Sequence, residues 1–549
     1  MHGSKSFLIS LIVACLVLIF GAYYLYRQKS MIKRYQDFVQ KERQTQPTLD
    51  IKKIIPSVVA QKNGKTWLDV QMQVKDTVVQ VYSQVSEFNF FEPYKTPEQS
   101  EGYGSGFFIN NKGDFITNYH VVAQAICVQI QIPSFGMERF DAEIIGVSPD
   151  RDIALLRLTR EAREKVEKKL GKIPFLTFGN SDLILRSQEV LALGYPLGQV
   201  RLKSTLGIVS GRERIKYFGY IQITAPLNPG NSGGPALNLD GEVIGINSRG
   251  VLEAQNIGYI IPINEVRTAL DDLYKVKLLR RPTLGCIFTS ATPELVRYLK
   301  NPGDGGWYIA KVFENTLLES VGIKDDDMLY EINGYRVDIY GDINVPWSED
   351  KISFFELLNR SKLGEEINLV VYRHGIKKIF TFNLENKYLP PIRQVYPEFE
   401  EETVDYEVIS GFVVMQMTLN HLNVLIQRNP ELVRYFKPEL QHEPVLIITH
   451  VLPNSQAYKS RVLVPGEMIK EVNNIPVKTL EDFRKAVKKS KDTGYLTIRA
   501  DDNLYSVMDV NKIIKEEDML ASRFFFKRSS LIEVLSGSIV SDKNNLGKK

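Results

Sequence analysis

A chain of 549 residues is too long for one hydrophobic core and, at about 150 residues per domain, predicts three to four domains. Hydrophobic residues at 44%, charged at 24% and aromatic at 10% are ordinary globular usage, which excludes collagen-like, disordered and disulfide-scaffold classes. The 69 Lys and Arg against 65 Asp and Glu leave +4, too weak a bias over this length to recruit nucleic acid or another polyanion. The three cysteines, Cys15, Cys127 and Cys286, form no CxxC metal or redox motif.

From Phe7 to Tyr26 the chain reads FLISLIVACLVLIFGAYYLY, an uncharged run that as a helix at about 1.5 Å per residue spans a hydrocarbon core. Tyr23, Tyr24 and Tyr26 would sit at the interface. A cleaved signal peptide is the competing reading, with Lys5 as its weak basic start. The run is longer than a signal core, however, and no A-x-A site follows, so residues 1–28 are expected to form an N-terminal transmembrane anchor. Arg27, Lys29, Lys33, Arg34, Lys41 and Arg43 follow the span and outnumber the basic residues before it, which by the positive-inside rule favours a cytoplasmic body. Residues 29–66 are polar and Lys/Gln-rich, the composition of a stalk.

From residue 67 to 275 short apolar or alternating runs, among them VVQVYSQV, GSGFFIN, AEIIGV, IALLRL and EVLALGY, are separated by Gly, Asn, Asp and Pro. This rhythm predicts an all-β sandwich or barrel. One helical patch, Arg160 to Lys169, carries mixed charges that suit a solvated face. Beyond Arg280 the chain repeats itself: PELVRYLK at 293–300 recurs as PELVRYFK at 430–437, and DDDMLYEINGYRV at 325–337 as PGEMIKEVNNIPV at 465–477. The repeat predicts two related units, 281–388 and 406–535, joined by a Pro- and acid-rich linker at 389–405 and followed by a polar tail, 536–549.

The strongest local signal is Asn228 to Pro235, N-P-G-N-S-G-G-P, where glycines flanking Ser232 supply positive φ and room for close approach. A polar glycine-rich turn is the plain alternative. His120, in TNYHVV, is the only histidine between His2 and His374, and so the only base candidate in the β region. Asp152, in SPDRDIALLRL, precedes an apolar strand from which a carboxylate can be buried and aimed; Asp150 is its local rival, and Asp182 reads as a turn residue. Gly230 to Gly234 also fits G-x-S-x-G, but a nucleophile elbow needs strand-turn-helix context and a histidine after the serine. Here ALNLDGEVIGINS reads as a hairpin with Asp-Gly at its turn, and the order His120, Asp152, Ser232 is that of chymotrypsin. Histidines 374, 421, 442 and 450 form no H-x-x-x-H pair and no cysteine accompanies them, so no metal site is expected. No phosphate-binding Gly-rich loop ending in Lys and Ser/Thr occurs, so neither ATP nor another cofactor is expected.

In GSGFFI, TNYHVV, DIALLRL, GNSD, ALGYPLG, TLGIVSG, NPGNSGGP and GEVIGIN, in this order, the chain resembles the HtrA/Deg family of trypsin-like serine proteases. The DINVPW stretch followed by ISFFELLNR is most similar to plant-type members. The resemblance implies a mainly β fold: a chymotrypsin-like double β-barrel with the site in its cleft, then two α+β PDZ domains. It implies His120 as base, Asp152 as its orienting carboxylate, Ser232 as nucleophile, and the backbone of Gly230, Asn231 and Ser232 around the oxyanion. Thr224, Ala225, Pro226 and Leu227 stand where a first substrate pocket is expected; none is acidic, which predicts an apolar pocket. The sequence departs here from relatives with Asp-Ala-Ala, which bears on loop geometry and resting activity.

In a PDZ domain an apolar-Gly-apolar loop offers N–H groups to a peptide C-terminus, which adds as a strand. Thr283, Leu284, Gly285 and Cys286 resemble that loop in the first unit, and Ile409-Ser410-Gly411-Phe412 in the second, a unit that could instead serve assembly. The implied protein is an ATP-independent endopeptidase acting on unfolded or damaged proteins. Its implied partners are peptide C-termini, the membrane through the N-terminal helix, and copies of itself in trimers or multiples. Its body would be extracytoplasmic (periplasmic), against the charge rule. The rivals are a PDZ-based chaperone or scaffold with a latent protease domain, and an α/β-hydrolase esterase.

Overall fold

The computed structural model describes residues 65–250, 256–303, 305–386 and 388–537. The expected anchor, nearly all of the stalk and the end of the tail lie outside these residues. Among the described residues no helix is long and apolar enough to cross a membrane.

The described chain opens with α1 (Trp67–Gln73), nucleated by a capping box in which Thr66 Oγ accepts from the Asp69 N–H and Asp69 accepts from the Thr66 N–H. Strands β1 (Val78–Glu87), β2 (Glu98–Phe108), β3 (Asp114–Thr117), β4 (Ala125–Gln131), β5 (Arg139–Ser148) and β6 (Ile153–Leu158) then close into a barrel in the order β1-β2-β3-β6-β5-β4. A short helix, α2 (Tyr119–Val122), interrupts it after β3. A second barrel has the order β10-β11-β12-β9-β8-β7. Its strands are β7 (Glu189–Gly194), β8 (Lys203–Ile215), β9 (Phe218–Ile223), β10 (Pro235–Leu237), β11 (Val243–Gly250) and β12 (Gly258–Pro262).

The period of two explains both the barrels and their union. In β7, Val190 and Ala192 fill the second barrel with Val209, Ile221, Ile223 and Ile260. Leu191 and Leu193 point the other way, into a core shared with Phe107, Ile116 and Leu155 of the first barrel. Strands buried on both faces must be apolar at every position, which is why EVLALG shows no alternation. The 160–170 helix, α3 (Arg160–Leu170), is solvated on one face only, because Ala162 and Val166 are buried against the first barrel. The Asp240-Gly241 turn joins β10 to β11, with Gly241 at φ +80. The protease-like part closes with α4 (Ile263–Leu273).

Two modules of one design follow. The first has the sheet order β13-β14-β15-β19-β20, built from β13 (Cys286–Thr289), β14 (Trp307–Val312), β15 (Met328–Ile332), β19 (Glu366–Arg373) and β20 (Ile376–Asn383), with β16 (Tyr335–Arg336) beside β15. A separate pair, β17 (Asp342–Ile343) and β18 (Ile352–Ser353), leads into its helices' last member. Those helices are α5 (Pro293–Tyr298), α6 (Leu317–Ser320) and α7 (Phe354–Asn359). The second repeats the order as β22 (Phe412–Gln416), β23 (Leu446–Val451), β24 (Met468–Val472), β26 (Tyr495–Ala500) and β27 (Tyr505–Asp509), with β25 (Ile475–Pro476) beside β24. It adds one outer strand, β21 (Tyr406–Ile409), paired antiparallel with β22. Its helices include α8 (Leu419–Leu425), α9 (Gln456–Ser460), α10 (Leu480–Lys488) and α11 (Val510–Phe524), with further short ones at Ser490–Thr493 and Ser530–Ser536.

The 389–405 stretch is packed between modules and is not a free tether. Ile392, Val395 and Tyr396 are buried, and Glu402 accepts from the Arg280 guanidinium at 2.6 and 2.9 Å. Glu398 accepts from the Tyr119 hydroxyl at 2.5 Å, beside the α2 helix.

Candidate active site

Each residue of the expected triad lies on a segment between two strands. His120 sits in α2, directly after β3. Asp152 follows the 3₁₀ turn Pro149–Arg151 with φ +56 and ψ 44, a left-handed conformation that Asp tolerates better than most residues. Three bonds hold it there: its N–H donates to Pro149 O at 3.1 Å, its carbonyl accepts from Asn118 Nδ2 at 2.9 Å, and Oδ1 accepts from the His120 N–H at 3.0 Å. Its two carboxylate oxygens lie 3.0 and 2.9 Å from His120 Nδ1. A proton on Nδ1 then bonds the carboxylate and leaves Nε2 as the base. The rival Asp150 turns away and accepts from the Arg281 N–H at 3.0 Å.

Ser232 lies on the loop before β10. Its Oγ donates to the Ser248 carbonyl at 2.8 Å, and Ser248 Oγ donates to Asp152 Oδ2 at 3.3 Å. Among the described residues no hydrogen bond joins Ser232 to His120; the Ser248 carbonyl holds the hydroxyl instead.

The loop around Ser232 is shaped by where its carbonyls go. Pro229 O accepts from the Leu197 N–H at 2.6 Å, Gly230 O from Ser105 Oγ at 2.7 Å, and Ser232 O from the Ser105 N–H at 2.8 Å. In a trans peptide the N–H points opposite to the preceding carbonyl. The Gly230 N–H therefore faces away from Leu197, and neither it nor the Ser232 N–H has a hydrogen-bond partner among the described residues. Gly230 adopts φ +97, and a Cβ there would come within 2.4 Å of Tyr195 O, so only glycine fits. Asn231 differs from its neighbours: its N–H is taken by Asn228 O at 2.9 Å, which makes it a turn residue and leaves two free donors, not three.

Of the expected pocket residues, Ala225 is wholly buried in the second barrel's core and cannot line a pocket. Thr224 is half-buried and pairs with Ile208 through its N–H and Oγ, each at 2.9 Å; Leu227 is half-buried and Pro226 exposed. Ser105, Ser248 and Leu197 carry much of the site's geometry without a chemical signature of their own in the sequence. Ser105 lies inside the GSGFFI motif and Leu197 inside ALGYPLG, the only signals that could have pointed to them.

In the first module Gly285 adopts φ +78, its carbonyl accepting from the Phe313 N–H at 2.9 Å and that of Leu284 from the Leu318 N–H at 3.1 Å. The N–H groups of Leu284 and Gly285 have no partner among the described residues. Cys286 is half-buried against the module's core, and burial pushes its thiol up, away from reactivity.

Two closed six-stranded barrels, the first supplying histidine and aspartate and the second serine, define a mainly β, chymotrypsin-like serine peptidase fold. A trypsin-like peptidase domain model matches residues 104–246 and a PDZ domain model residues 395–529, the latter starting inside the expected linker. A "Probable periplasmic serine endoprotease DegP-like" of Marinomonas sp. (strain MWYL1) is 29% identical over 294 residues, 52% of this chain and 58% of that protein. One of the same description from Hahella chejuensis (strain KCTC 2396) is 25% identical over 443 residues, 78% and 86% of the two chains. A solved structure described as "HtrA-type protease AlgW with tripeptide" shares 24% identity at a TM-score of 0.47, covering 59% of this chain and 98% of that one. The chain carries an HtrA/DegP-type trypsin-like serine protease domain together with a PDZ domain.

Proposed function

We propose that the protein is an ATP-independent serine endopeptidase of protein quality control, cleaving unfolded or damaged proteins. The observation that carries this reading is the pair of unpartnered N–H groups at Gly230 and Ser232, in one site with the Ser232 hydroxyl and an imidazole held by Asp152, the two linked through Ser248. Ser232 Oγ leaves the Ser248 carbonyl, gives its proton to His120 Nε2 and attacks the scissile carbonyl. The Gly230 and Ser232 N–H groups stabilise the oxyanion, each by about 3 kcal/mol. His120 returns the proton to the leaving amine, and water repeats the cycle on the acyl-enzyme. Asp152 holds the imidazole's tautomer throughout.

The related proteins named periplasmic support a body outside the cytoplasm, and the apolar run at residues 7–26 supports a membrane anchor. We assign capture of peptide C-termini to the first module as a PDZ domain, the first substrate position to an apolar residue, and the working state to a trimer or its multiples. The scaffold reading is favoured by one observation, the Ser232 bond to the Ser248 carbonyl in place of His120.

Digestion of casein by the full chain beside Ser232→Ala tests the proposal. Loss of the nucleophile costs about 10⁴- to 10⁶-fold in turnover. Cleavage by the wild type alone supports the endopeptidase; cleavage by neither, with casein aggregation still suppressed, supports the scaffold.

A further inference from the structure

Arg151, next to the catalytic carboxylate in sequence, is only 6% exposed and makes no ion pair among the described residues. Its guanidinium donates instead to the Asn359 carbonyl at 3.0 Å and to Ser148 Oγ at 3.4 Å, while its Nε has no partner. Burying a cation without a bonded carboxylate is costly, and an apolar side chain of similar volume would fill the same space at less cost. Glu265, Asp150 and Asp272 supply a favourable field, but none of them bonds it.

The acceptor it reaches is itself immobile. Asn359 closes helix α7 of the first module; its side chain donates to Tyr217 O at 2.7 Å, in the β8–β9 turn. The next residue, Arg360, forks onto Asp182 at 3.0 and 2.6 Å and lies 3.5 Å from Glu265. Arg151 thus ties the turn that delivers Asp152 to a carbonyl clamped from two sides. The other flank of that turn is held too, by Asp150 on the Arg281 N–H. Asp152 has to keep a left-handed backbone for its carboxylate to meet His120, and a turn free to relax would lose that geometry.

The geometry points to Arg151 as a positioning residue: through the Asn359 carbonyl it holds the 149–152 turn in the one conformation that aims Asp152 at His120. The inference rests on the endopeptidase reading, since it concerns the same triad. The first module is then part of the catalytic scaffold, whatever peptide it binds.

The full chain, its Arg151→Met and Arg151→Lys variants and Ser232→Ala are compared for kcat and KM on a fluorogenic peptide. Misorienting a triad carboxylate costs up to about 10⁴-fold, so a loosened turn is expected to lower kcat about 10- to 100-fold with KM within about twofold. Melting temperature is expected to hold or rise in Arg151→Met, because the buried charge is gone. A residue that merely fills the interface would leave kcat within twofold, or lower it only in step with unfolding; either result overturns the inference. If Arg151→Met does not fold, Arg151→Lys decides, since its ammonium keeps the charge without the fork. Backbone hydrogen exchange across 149–153 needs no activity and is expected to rise at least tenfold in the variants; unchanged exchange overturns the inference. A wild type that neither cleaves nor takes a fluorophosphonate on Ser232 removes the endopeptidase reading, while the exchange result still decides the clamp.

Discussion

The two C-terminal modules build the same loop and then part company at its edge. Leu284 and Gly285 in the first correspond to Ser410 and Gly411 in the second: Ser410 O accepts from the Ala457 N–H at 3.2 Å and Gly411 O from the Leu452 N–H at 2.7 Å. Both glycines have positive φ, and a Cβ would meet Thr316 at 2.1 Å in one and Ser455 at 2.0 Å in the other. Past the loop, β13 ends its sheet with an open edge, whereas β22 is already covered by β21. In the second module Ser410 and Gly411 both take positive φ, the backbone of a two-residue hairpin turn, so the preceding four residues fold back as a strand. Arg484 of α10 holds that strand, donating to Asp405, Glu407 and the Tyr406 carbonyl. In the first module Pro282 precedes the loop, and Arg280 and Arg281 are held toward Glu402 and Asp150, so no strand can return. Whether a module of this design offers an edge to a peptide is thus set by the residues just before its loop.

The loop glycines offer the most direct way to break this comparison. Gly285→Ala is expected to weaken binding of a hydrophobic C-terminal peptide at least tenfold by fluorescence anisotropy, with Gly411→Ala within twofold of the wild type. Equal losses in both would mean that both edges bind. Next is Glu517 of α11, wholly buried against Ser410, where burial pushes its carboxyl up to about 8 from 4.5. The folded state keeps a proton that the unfolded chain releases, so stability falls as pH rises from 4.5 to about 8, by a few kcal/mol in all. Glu517→Gln is expected to unfold at higher denaturant than the wild type at pH 8 and to match it at pH 4.5. A pH-independent difference would show that the carboxyl is ionised in the folded protein. The smallest effect is at Arg484→Ala, where loss of part-exposed ion pairs worth about 1 kcal/mol should speed amide exchange in 406–409 roughly fivefold. Exchange unchanged there would mean that backbone pairing alone keeps the edge filled.

What could be read from the residues had local causes. NPGNSGGP announces itself because positive φ at Gly230 and Gly233 is a property of those residues. His120 is legible by elimination and Asp152 by strand context. Ser105 and Ser248 are not, because a serine in a strand says nothing of the carbonyl or hydroxyl it will meet; Ser105 serves Gly230 from 125 residues away. Asn231 and Ala225 read as site residues by adjacency, yet the first spends its N–H on a turn and the second packs the barrel. The same six residues, PELVRY, form an α-helix at Pro293–Tyr298 and a 3₁₀ helix within Pro430–Phe436. In the second copy Asn429 is tied to Gly466 O at 3.0 Å, and Leu432 and Tyr435 are buried together, so packing overrides a shared propensity.

By itself the sequence determined the alternation that makes barrels, the repeat that makes two modules, and the chemistry of a histidine, an aspartate and a glycine-flanked serine in one order. These depend on residue type and short spacing. Only the tertiary structure decided which hydroxyl faces which acceptor, which N–H groups stay free, which sheet edge is filled, and that the first module's helix reaches the turn beside Asp152. Those outcomes depend on backbone groups that every residue carries alike, and only the fold determines where they point.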